Sequence, residues 1–94
     1  MSKIKYSAKI EKIWDNARYC DCDAEDCNAY NHRLCGICGY KILYGNHESE
    51  ISQRNSRYAW NIDHIIPKSR GGTDRISNLQ AVHIRCNRYK KNLN

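Results

Sequence analysis

Apolar side chains at Ile10, Ile13, Trp14 and Ala17 fall at i, i+3, i+4 and i+7, one face of a helix, and predict an amphipathic helix over Tyr6–Arg18. The pattern then breaks. Tyr19–His32 is rich in Asp, Asn and Cys and nearly free of aliphatic side chains, so it reads as irregular chain held by something other than a core. In Arg33–Leu43, Cys35 and Cys38 flank a tight Gly36-Ile37 turn, with Gly39 allowing close backbone approach, the pattern of a knuckle. Tyr44–Ser56 is polar and reads as a loop. Tyr58–Ile66 alternates as a strand does and is closed by Pro67. Lys68–Asn78, with Gly71-Gly72, is a loop; Leu79–His83 is a second short strand; Ile84–Asn92 is a basic helix. The order is therefore knuckle, strand, loop, strand, helix, preceded by a helical extension. Without an internal repeat or linker, it predicts a single compact domain, divided into an extension (residues 1–32) and a motif-bearing part (33–94).

Ninety-four residues with 40% hydrophobic content and no Phe bury only a modest core, and chains of this size often rely on a metal or disulfide staple. Six Cys could supply either. Met1–Lys12 is basic and amphipathic, unlike an apolar leader, and nothing approaches the length of a membrane span. The expectation is a reduced, cytoplasmic protein in which Cys-x-x-Cys binds metal before it forms a disulfide. The net charge of +6 is unevenly spread: residues 1–19 carry +3, residues 20–32 carry −4 and residues 33–94 carry +7. A polyanion such as nucleic acid fits the basic part; a merely solvated basic surface is the bland alternative.

Cys35/Cys38 and His83/Cys86 are pairs of equal spacing, separated by 44 intervening residues. Two such pairs make the four-ligand thiolate and imidazole set that suits structural Zn²⁺; buried apolar cysteines are the alternative. Asp63, His64 and Asn87 form a different group. A carboxylate and an amide carbonyl are hard oxygen ligands suited to Mg²⁺ or Mn²⁺, and His64 can accept a proton near neutral pH. Those are the requirements of phosphodiester hydrolysis. Adjacent strand residues point to opposite faces, so Asp63 and His64 can share a site only where the strand ends or bulges. Asn87 follows Cys86 on the helix, turned by roughly 100°, so one helix can serve both groups.

The stretch Trp60–Asn92, together with the Cys35/Cys38 knuckle, resembles the HNH endonucleases of the ββα-metal class. The resemblance implies a small α+β fold, the ββα-metal (HNH) fold with a zinc knuckle, here with an added N-terminal helix. It implies His64 as general base, Asn78 as the central Asn bracing the loop, and Asn87 as the third motif position. Asp63 matches the acidic metal ligand preceding the base, and the products would be 3′-hydroxyl and 5′-phosphate ends. The spacing from His64 through Asn78 to Asn87 and the I-I-P and G-G-T elements fit. His83 stands where zinc-bearing members usually have Cys, and Asn87 replaces the His of the name-giving motif, which favours Mg²⁺ at the active site. The implied partner is double-stranded DNA, bound by a monomer or homodimer; phage, mobile elements and restriction systems all use such domains.

A non-catalytic zinc module that binds nucleic acid would keep the four-ligand set and basic helix but have no use for Asp63, His64 and Asn87 together. A nuclease toxin domain is a third possibility. Lys68, Arg70, Arg75, Arg85, Arg88, Lys90 and Lys91 are the candidate DNA contacts, or else a solvated face. Arg33 or Arg85 is expected to offset the charge of the zinc set. Trp14 and Trp60 are expected in the core, His47 as an ordinary surface imidazole, and Asp74 as an Asx cap of the loop rather than a catalytic group. Finally, Cys20, Cys22, Cys27 and His32 lie within thirteen residues. They are either a second zinc site or free thiols in a loose loop; the tight Cys-x-Cys spacing and four neighbouring carboxylates weigh against the metal.

Overall fold

A computed structural model describes residues 6–51 and 57–92. The first helix, α1 (Ala8–Asp15), starts where Ser7 accepts a hydrogen bond from the Ile10 amide at 3.3 Å, the usual N-cap device. It is shorter than the expected Tyr6–Arg18, and its C-terminal limit has a long-range cause. The buried guanidinium of Arg33 donates to the carbonyls of Trp14 (3.2 Å), Asp15 (2.7 Å) and Ala17 (2.8 Å). It thereby satisfies the orphan acceptors of the helix end. Arg33 is thus committed to α1 rather than to the zinc set, contrary to one of the two charge-offset expectations.

The chain then enters a three-stranded antiparallel sheet: β1 (Arg18–Tyr19), β2 (His32–Leu34) and β3 (Lys41–Leu43), in that spatial order. Arg18 faces Leu34, and His32 faces Leu43. The long excursion between β1 and β2 has neither helix nor strand, as its composition predicts. Tyr44–Ser56 reads as plain loop in the sequence, yet it contains two 3₁₀ turns, Tyr44–Asn46 and Glu48–Glu50; residues 52–56 lie outside the described residues.

The second sheet is a regular antiparallel pair, β4 (Trp60–His64) with β5 (Leu79–His83), running from Trp60 opposite His83 to His64 opposite Leu79. Helix α2 (Ile84–Asn92) follows without a break. Both β5 and α2 occupy the predicted ranges, while β4 is narrower than the predicted Tyr58–Ile66. The architecture is α+β, as expected.

Trp14, Trp60, Ile13, Ile42, Val82 and Cys35 are the largest fully buried side chains. The two indoles meet with ring centroids 4.9 Å apart, so both tryptophans belong to the core. Helix α1 and the motif-bearing sheet therefore share one apolar centre. His47 joins it, contrary to its expected place on the surface: it is 6% exposed and packs edge-on against Trp60 at 4.7 Å. Burial, partly opposed by Glu48 and Glu50, pushes its imidazole below the usual histidine range. Among the described residues, no helix is long and apolar enough to cross a membrane.

Candidate active site and metal centre

Strand β4, the loop that follows it and helix α2 enclose a cleft of about 320 Å³, lined by Ile62, Asp63, His64, Lys68, Asn87 and Lys90 among others. The strand does not bulge. It ends at His64, and both neighbours line the cleft from there, which resolves the facing problem posed by adjacent strand residues. The 65–78 loop is held by Asn78. Its side-chain oxygen accepts from the Ile66 amide (2.8 Å), and its amide donates to the carbonyls of Ile66 (3.0 Å) and Thr73 (2.8 Å). Gly72 is needed here because a Cβ would collide with the Ile66 carbonyl.

Asp74 is where the sequence reading missed a partner. Its Oδ1 lies 2.7 Å from His64 Nε2, and its Oδ2 lies 2.9 Å from Lys68 Nζ. These two hydrogen bonds, His64 first, hold the carboxyl down to about 2. A carboxylate accepts only, so Nε2 carries the proton in this contact and Nδ1 is the ring nitrogen left to act as an acceptor. The only sequence signal was an acidic residue in the loop after the candidate base.

Asp63 is 6% exposed. Its Oδ2 accepts from Gln80 Nε2 at 2.9 Å and from Lys90 Nζ at 2.8 Å. Lys90 also donates to the His64 carbonyl at 2.7 Å, so this lysine, grouped by its charge with the DNA contacts, reaches into the cleft. Asn87 is 3% exposed; its amide donates to Asn61 Oδ1 at 3.0 Å, whereas Asn87 Oδ1 is buried with no hydrogen-bond partner among the described residues. A buried orphan acceptor costs about 1–3 kcal/mol. That oxygen and the Asp63 carboxylate fit a hard divalent cation, which would satisfy the acceptor and be neutralised by the carboxylate. The remaining candidate contacts, Lys68, Arg70, Arg75, Arg85, Arg88 and Lys91, are exposed.

Behind the cleft, Cys35, Cys38, His83 and Cys86 converge with their ligand atoms within 4.8 Å of one another. His83 Nε2 donates to the Lys41 carbonyl at 2.8 Å, which turns Nδ1 toward Cys38 Sγ at 3.2 Å and Cys86 Sγ at 3.8 Å. This fixes the tautomer as an outer partner of a metal-bound histidine does. The amides of Ile37 and His83 donate to Cys35 Sγ at 3.4 and 3.3 Å. Burial alone would push the Cys35 thiol up, but hydrogen bonds from His83 and from backbone amides bring it to about 6. Burial, joined by the charge of Cys35, pushes Cys86 up to about 12. Crowded thiols, one favouring ionisation and its neighbour penalised by it, fit a site for a thiophilic cation such as Zn²⁺. Arg85, on the exposed side, borders the same groove as Cys38 and Cys86. Cys20, Cys22, Cys27 and His32 also come together within 4.8 Å.

An antiparallel strand pair, an Asn-braced loop and a helix around an acidic, histidine-bearing cleft, beside a Cys/His group that could hold a metal, are compatible with the HNH fold. Residues 35–93 match the sequence profile of the HNH endonucleases, and the chain belongs to that family. No curated protein and no solved structure gives a significant match.

Proposed function

We propose that this protein is a divalent-metal-dependent endonuclease that hydrolyses DNA phosphodiester bonds to 3′-hydroxyl and 5′-phosphate ends. The observation that carries the reading is the buried, unpartnered Asn87 Oδ1 in a cleft it shares with Asp63 and His64. Asp63 and Asn87 would hold Mg²⁺ or Mn²⁺, which when bound supplies positive charge to the phosphate and the leaving oxygen. His64, with Nε2 anchored on Asp74, takes a proton from water at its other ring nitrogen. Asn78 positions the loop that carries Asp74. Zn²⁺ on Cys35, Cys38, His83 and Cys86 is structural. Exposed Lys68, Arg70, Arg75, Arg85, Arg88 and Lys91 contact phosphates of duplex DNA, and residues 33–94 form the nuclease unit on which residues 1–32 are an extension.

The test is cleavage of supercoiled plasmid by wild type and His64→Ala in EDTA, Mg²⁺, Mn²⁺ and Zn²⁺. Wild type should cut with Mg²⁺ or Mn²⁺ and not in EDTA, and loss of the general base should slow it by on the order of 10²–10⁴. Wild type that binds DNA but cuts it with none of these metals would leave a non-catalytic binding module instead, and undiminished cutting by His64→Ala would remove the assigned base.

A further inference from the structure

We propose that the excursion between β1 and β2 is a second structural zinc site, formed by Cys20, Cys22, Cys27 and His32 and separate from the set at Cys35. Four ligand atoms within 4.8 Å of one another approach the separation of roughly 3.3–3.8 Å implied by tetrahedral Zn–S and Zn–N bonds. The three cysteines lie in a segment with no helix, no strand and no apolar filling of its own, and His32 opens β2 directly after it. Cys22 Sγ lies 3.4 Å from His32 Nδ1, so the imidazole already presents that nitrogen to the thiols. Its other nitrogen, Nε2, lies 3.3 Å from Asp26 Oδ2, the carboxylate–histidine arrangement that orients a metal-bound imidazole. Asp26 therefore has a role, rather than only adding negative charge. His32 is 2% exposed, and burying an imidazole against thiols needs a compensating partner.

Charge and connectivity agree with this assignment. Three thiolates and a neutral imidazole on Zn²⁺ leave a net charge of about −1, and Lys41 Nζ stands 3.7 Å from Cys22 Sγ. The Lys41 carbonyl is also the acceptor for His83 Nε2 of the other set. The two sites thus lie at opposite ends of β2, with His32 in one and Cys35 just beyond the strand in the other, and they share Lys41 on β3. An ion at the N-terminal set would clamp β1 and the start of β2.

Native mass spectrometry of the full chain purified without chelator should show two zinc ions, and Cys22→Ser/Cys27→Ser should show one. In wild type, Cys20, Cys22 and Cys27 should resist a thiol reagent until a strong chelator is added, a readout that needs no variant to fold. One zinc per wild-type chain with Cys20 and Cys22 reacting freely in the native state would overturn the site, as would two zincs retained by the double variant or a disulfide among the three cysteines. No zinc at all would remove both sites, while a single zinc with Cys20 and Cys22 reactive removes only this one and leaves the nuclease reading untouched.

Discussion

Lys90 Nζ stands 2.8 Å from Asp63 Oδ2, inside the cleft where Asp63 and Asn87 are proposed to hold a divalent cation. Lysine and cation then compete for one carboxylate oxygen. Lys90→Met removes the competitor and should tighten Mn²⁺ binding measured by calorimetry. The same change strips a nearly buried carboxylate of a charged donor, leaving Gln80, and should lower metal-free stability by about 1–3 kcal/mol. Added Mn²⁺ should recover most of that loss in thermal melts. Weaker Mn²⁺ binding in the variant would mean that Lys90 supports the metal site instead of competing for it.

The two proposed kinds of metal should separate on mutation. Structural zinc contributes about 10–16 kcal/mol of apparent folding free energy in small zinc-finger peptides, more than most of the net stability of a small domain. Cys38→Ala should therefore abolish the cooperative melt. Asp63→Ala and Asn87→Ala should stay folded and instead raise the Mg²⁺ or Mn²⁺ concentration needed for cleavage. Equal loss of the melting transition in all three variants would mean that the oxygen ligands belong to the folding centre.

His47 carries a pH prediction. Its folded-state imidazole is held below the ordinary value of 6.5, chiefly by burial, so as pH falls the unfolded chain takes up the proton first. The protein should lose stability through this group as pH falls below the ordinary imidazole value of 6.5 and gain nothing from it well above that value. NMR titration of the His47 ring should show a midpoint below 6.5, and His47→Gln should flatten this part of the stability profile. A midpoint at or above 6.5 in the folded protein would contradict the burial argument.

The parts of the fold that were legible in the sequence are those set by local chemistry. Leu79–His83 and Ile84–Asn92 occupy their predicted ranges because alternation and helical composition are local signals. The end of α1 was not legible, because Arg33, far along the chain, takes the helix-end carbonyls. His47 is buried by Tyr6 and Trp60, neighbours that no periodicity reveals. The candidate metal-ligand sets were visible as spacings, whereas the Asp74–His64 and Lys90–Asp63 pairs were not. Each joins a charge that looks like ordinary surface to a partner 10 or 27 residues away.

Duplex binding should be largely phosphate-driven. With +7 in residues 33–94, affinity should fall steeply with salt, each neutralised phosphate adding roughly −0.9 to the log–log slope. Replacing exposed Arg70 or Arg88 by Ala should reduce the slope magnitude by about one for each phosphate no longer neutralised, similarly across DNA sequences. Salt titrations by fluorescence anisotropy read this directly, and a nearly flat dependence would point to base or shape recognition.

Asp74 should behave as a positioning residue for His64. Its carboxyl is held down to about 2 by His64 and Lys68, so it remains a carboxylate at every pH where the protein is expected to work. Asp74→Asn should therefore slow cleavage without removing any limb of the pH–rate profile above about pH 4. The loss should be roughly tenfold or more, yet smaller than that of His64→Ala, since the base itself remains. It should fall on kcat rather than KM, because what is lost is the orientation of a reacting group. Asp74 also pairs with Lys68, so Lys68→Met is the control: a loss confined to KM there assigns the Asp74 effect on kcat to the imidazole. Wild-type kcat in Asp74→Asn, or an equal kcat loss in Lys68→Met, would mean that the 2.7 Å hydrogen bond does not orient the base.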